Sequence, residues 1–169
     1  MATTLLFGVG NLLAATTAQE PPPPPPDQAL AALIEALPEA EAETPLAVVI
    51  TTVTAKLQDA IASLTADPAE PKAAMASVDE AAGDLEAAMA EGSLAAEQGA
   101  SLLTQLAAIA KSMATASQER AHAGEHNHDA CDAWTMFAAQ ADMLLEEGMP
   151  RTAISQYRKA GDHAEDSIK

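Results

Sequence analysis

A single cysteine, Cys131, in 169 residues excludes an intrachain disulfide, so the fold must stand on side-chain packing alone. Aromatic residues are nearly as scarce. Phe7, Trp134, Phe137 and Tyr157 make up 2% of the chain, which leaves a core little ring bulk to build with. Basic side chains number 8 against 25 acidic ones, for a net charge of -17, and none precedes Lys56. A chain this acidic, with no basic stripe, repels phosphate backbones and anionic lipid surfaces, which excludes nucleic-acid binding as its main activity. CxxC and HExxH patterns are also missing, as is a serine or cysteine nucleophile on a strand-turn, so the reading is non-enzymatic.

Alanine is what fills the gap. It occupies 42 positions and supplies most of the 49% hydrophobic fraction, and with Leu, Glu and Gln it favours helix over strand. Residues 1–18 (MATTLLFGVGNLLAATTA) form an apolar stretch ending in small residues, the look of a secretory signal cut after Ala18, though without the usual leading positive charge. If retained, the run Thr3 to Val9 is one that a neighbouring subunit can bury as a donated strand or plug. The stretch is too short and too broken by Gly8, Gly10 and Asn11 for a membrane span, and no later segment is expected to span in the mature chain. Residues 19–26 follow as a linker. Its six prolines, Pro21 to Pro26, lack amide donors and favour a stiff extended spacer.

Residues 27–116 read as a helical bundle. Asp27 is placed to cap a short helix with Leu30, Leu33, Ile34 and Leu37 on one face, ended by Pro38. Thr44–Pro45 opens the strongest helix, with Leu46, Val49, Ile50, Val53, Leu57, Ile61 and Leu64 at alternating three- and four-residue steps. Asp67–Pro68 is expected to open a third helix, carrying Met75, Val78, Ala82, Leu85 and Met89 up to Gly92; Asp79, Glu80, Asp84 and Glu86 read as its solvated face, at most a weak calcium site between chains. A fourth, from about Ala95 to Ala116, aligns Leu102, Leu106, Ile109 and Met113. Residues 117–129 (SQERAHAGEHNHD) read as an exposed His-rich connector. Residues 130–169 then form an αα-hairpin holding three of the four aromatics, with Gly148–Met149–Pro150 at its turn and Ile154, Tyr157, Gly161, Ala164 and Ile168 on one face. The expected fold is therefore all-α: an antiparallel bundle of three to four helices plus a C-terminal αα-hairpin.

Charge divides along the same line. Residues 1–119 carry a net -13 and residues 120–169 a net -4, so the hairpin, with Arg151, Arg158, Lys159 and Lys169, is suited to meet the acidic bundle of its own or another chain. The ligand-like constellation is His122, His126, His128 and Cys131, whose imidazole and thiolate donors suit zinc, copper or nickel. Glu119 with His122 makes one E-x-x-H, without the second that a dimetal bundle needs. Asp162 beside His163 is read as a surface pair, and Met75, Met89 and Met113 as core filling.

Two stretches resemble known modules. Lys56, Leu57, Ala60 and Leu64, then Gly92, then Leu94, Glu97, Gln98, Leu102 and Leu103 stand in the order of the FIMAH-type helical domain over residues 48–113. That domain belongs to secreted and surface proteins of bacteria and archaea, often attached to carbohydrate-active enzymes. Gly148, Ala153, Ile154, Tyr157 and Ala160 give residues 133–168 the look of a tetratricopeptide hairpin, which as a single unit must dock on the bundle. Both resemblances imply a secreted or cell-surface module with a structural or protein-interaction role, its partner another protein or a second copy. The alternatives are a metal-binding protein using the His/Cys loop and a self-assembling extracellular filament subunit linked through its apolar N-terminus.

Overall fold

The computed structural model describes residues 23–123 and 128–168, with side chains of residues 23–123 and 132–168. They form six helices and no strand among the described residues: α1 (Pro26–Glu35), α2 (Pro45–Thr65), α3 (Pro71–Ala90), α4 (Ala96–Ala123), α5 (His128–Glu146) and α6 (Pro150–Ser167). The all-α expectation holds.

Proline writes most of the helix starts. Pro26, Pro45, Pro71 and Pro150 each occupy a first helical position, where the missing N–H has no intrahelical acceptor to serve. Thr44 caps α2 as expected, its hydroxyl oxygen accepting from the Ala47 amide at 3.2 Å. Two starts differ from the sequence reading. Asp27 does not cap α1; it sits in the first turn behind Pro25, where its charge still complements the helix dipole. α3 begins at Pro71 rather than Pro68. A helix opened at Pro68 would need the residue-71 amide to bond the residue-67 carbonyl, and Pro71 has no amide proton. Residues 66–70 instead form a turn in which the Glu70 amide bonds the Ser63 carbonyl at 2.8 Å. Gly92 and Gly148, both at φ 75°, end α3 and the α5–α6 turn in the left-handed region that glycine tolerates.

The largest departure is α4. It runs on through Ser117–Ala123, where an exposed connector is expected, because small residues keep facing the core: Ser117 is 0% exposed and Ala121 2%. Arg120 pins the added turns by donating to Ser117 Oγ at 2.9 Å and to Glu165 on α6. At 28 residues, α4 is about 42 Å long and forms the spine of the molecule. α3 and α6 both pack on it and on each other, α1 and α5 lie on its flanks, and α2 packs on α3 and α1 without reaching α4.

One continuous apolar core results. Val53 and Leu57 of α2, Val78 and Leu85 of α3, Leu106 and Ala110 of α4, and Ile154 and Tyr157 of α6 are all at most 1% exposed and belong to it. Alanine permits close approaches, and at Gly99 a Cβ would fall 2.2 Å from Met89 Sδ, so the Met89 side chain of α3 fills the space that a side chain on residue 99 of α4 would need. Ile168, expected on the buried face of the hairpin, is 40% exposed beyond the end of α6. By length and composition α2 is apolar enough to cross a membrane, unlike the sequence reading in which no later segment qualifies. Here its Val53, Leu57 and Ala60 are buried, and Lys56 bonds Asp84 of α3 at 2.8 Å.

Candidate functional site

Cations are the scarce resource of this chain, and they are spent between helices. Lys56, Lys72, Lys111, Arg120, Arg151 and Arg158 all pair with acids on other helices. Lys159 lies over the Phe137 ring, 5.8 Å from its centroid. The expected meeting of hairpin arginines with the acidic bundle occurs within the chain, where Arg151 and Arg158 both hold Asp79. Asp79 is therefore not on a solvated face, its side chain being 14% exposed. Traffic also runs the other way, which net charges do not reveal: Lys72 and Arg120 of the bundle pair with Asp166 and Glu165 of α6.

Two polar knots follow. Burial pushes the Asp79 carboxyl up, but hydrogen bonds and charge from Ser155, Arg151 and Arg158 outweigh it and hold the group below the ordinary carboxylate value. At the second, Tyr157 donates to Asp142, whose other partner is Lys111 at 2.6 Å. Burial, then the hydrogen bond to Asp142 and the charge of that carboxylate, raise the Tyr157 phenol above its ordinary value, which keeps it a neutral donor. Trp134 Nε1 donates to the Ala114 carbonyl at 3.2 Å beside it, and only about 50 Å³ of space lies among these groups. That holds a water, not a substrate. Both knots tie α6 to its neighbours.

The His/Cys constellation is not assembled within the described residues. His122 lies in the last turn of α4 rather than in a loop; His126 and the side chains of His128 and Cys131 lie outside the described residues. Among the described residues no group of three or more His, Cys, Asp or Glu side chains is placed to hold a metal ion. His163 is exposed as expected, stacked on Phe137 with ring centroids 5.2 Å apart.

A cavity with largely apolar walls lies elsewhere. α1 has 10 residues and α4 has 28, so α1 covers only part of the α4 flank, and α2 does not close the rest. Leu30 and Leu33 are buried at 0% and 2%, which fixes α1 against its neighbours and leaves Ala29 and Ala32 toward a groove. Its α4 wall is Gln105, Ala108, Ile109 and Ser112, and Pro23 and Pro24 close one side. This stretch encloses about 340 Å³ and has no charged residue in its lining. Beyond Pro23 it continues along α4 past Ala108, Ser112, Thr115 and Ala116, with Lys111 and Glu119 as its charged members. Sequence reasoning missed this groove because it followed only the inward stripe of α4. The signal was Ala108, Ser112 and Thr115, small uncharged residues at helical spacing on the outer face of α4.

Comparison of the chain with family models, with curated protein sequences and with solved structures gives no match. The FIMAH and tetratricopeptide resemblances accordingly stand on the motif positions alone.

Proposed function

We propose that this protein is a non-enzymatic helical module of secreted or cell-surface setting, working through protein interaction at the α1/α4 groove. The observation that carries the reading is the uncharged apolar lining of that groove on a chain of net charge -17. Leaving small apolar side chains in contact with water gains the folded monomer nothing, whereas a partner that covers them gains about 25 cal/mol per Å² removed from water. The two polar knots support the same reading, since the hydrogen bonds and ion pairs they contain tie one helix to another. The extracellular setting draws its support from the two resemblances.

Binding of a neutral apolar fluorescent probe to the full chain tests the reading. Saturable one-site binding is expected, together with an affinity loss of about tenfold or more in Ala108→Glu, because a carboxylate then has to be desolvated in the groove. Ala108 is exposed, so the melting temperature of this variant should match that of the parent. Binding that does not saturate, or that Ala108→Glu leaves untouched, would contradict the proposal.

A further inference from the structure

We propose that the occupant of the α1/α4 groove is the apolar segment Thr3–Val9 of a second copy of this chain. The inference rests on the reading of the groove as the interaction surface and names its partner. Charge is the first argument. Residues 1–19 contain no Asp, Glu, Lys or Arg, and the stretch of groove between Pro24 and Ser112 has none in its lining. Two molecules of net charge -17 repel one another overall, and these two neutral regions can meet without bringing like charges together.

Length is the second argument. The groove follows α4 from Gln105 to Glu119, fourteen steps of helix or about 21 Å. Seven residues, Thr3 to Val9, span about 23 Å when extended. Leu5, Leu6, Phe7 and Val9 supply the bulk that the alanine-lined wall lacks. Phe7 is the one aromatic side chain outside the C-terminal hairpin.

The point of departure is the third argument. Residues 1–22 lead into the structure at Pro23, which lines both stretches of the groove. A run of six prolines holds an extended course, and each proline also keeps the residue before it out of the helical region. Pro26 opens α1 and Pro23 and Pro24 line the groove itself, so Pro21 and Pro22 are the prolines left to set the departure, and their preference for an extended course disfavours a turn straight back into the groove that the chain is leaving. That preference favours a neighbour's groove over the segment's own. Donation of this kind is head-to-tail and repeats from copy to copy until a ring closes or an open chain grows.

Sedimentation velocity of the full chain, its N-terminus verified by intact mass, tests the proposal. The expected result is association that rises with concentration and strengthens with salt as repulsion is screened. Leu6→Asp, which spoils the segment, and Ala108→Glu, which spoils the groove, should each weaken association about a hundredfold. Mixed in equal amounts, the two variants should restore pairing and stop at a dimer, because one brings an intact groove and the other an intact segment. A parent chain that stays monomeric, association indifferent to either variant, or a mixture that fails to pair overturns the proposal. Native protein whose mass shows residues 1–18 removed overturns it as well. If the neutral probe still saturates the groove in those cases, only the occupant is wrong; if it does not bind, the reading of the groove falls with it.

Discussion

Asp79 is one of four acidic residues within eight positions of α3, and in the sequence they read alike. Position decides between them: Asp79 faces α6, where Arg151, Arg158 and Ser155 converge on its two oxygens. Its lowered pKa carries a sign. The carboxylate contributes stability that is fully present above its ordinary value of 3.8 and is lost as pH falls through the lower folded value. Asp79→Asn should therefore destabilise the protein by about 2–3 kcal/mol at neutral pH, the range for losing a hydrogen-bonded, half-buried charge. In urea titrations the gap between variant and parent should narrow as pH falls from neutral through the parent's lowered folded value, where its carboxyl is protonated too. A gap that stays constant over that range would show that packing rather than charge is responsible. Nothing in the local sequence separates Asp79 from Glu80 or Asp84, because its partners lie more than 70 positions away.

At the scale of elements, what the sequence discloses is where local chemistry decides. The proline starts, the Thr44 cap, the glycine stops after α3 and α5 and the stripe Met75–Val78–Ala82–Leu85 are legible because each depends on neighbours within one or two turns. The end of α4 is not legible in that way. Ser, Gln, Glu and His read as connector residues, but Ser117 and Ala121 are buried, and Arg120 reaches Glu165 of α6 forty-five positions on. Tertiary burial outweighs weak propensity there. Amides of residues 118–122 should accordingly exchange as slowly as those of 110–116 in hydrogen-exchange mass spectrometry. Rapid exchange confined to 118–122 would return the segment to the connector that the sequence suggests. The α1/α4 groove was hidden for a related reason. It exists because two helices differ in length, and a stripe-by-stripe reading follows what each helix buries, not what it leaves uncovered.

At the scale of the whole molecule, the composition acquires a spatial meaning. Six of the eight cations are drawn into pairs between helices, so the acidic excess is left to the exterior, and the lining of the α1/α4 groove between Pro24 and Ser112 carries none of it. The central claim is that recognition works through that neutral groove and not through the acidic exterior. The two alternatives respond oppositely to salt, because a neutral contact has no attraction to screen whereas an acidic surface binding a basic ligand loses affinity as ionic strength rises. The most direct measurement is the affinity of the neutral apolar probe, beside that of a basic peptide, across a series of salt concentrations. The account predicts that the probe binds with unchanged or tighter affinity as salt increases, at a site that Ala108→Glu removes, while any binding of the basic peptide fades and ignores that substitution. A basic peptide that binds more tightly than the probe, is lost with salt and is indifferent to Ala108→Glu would contradict it.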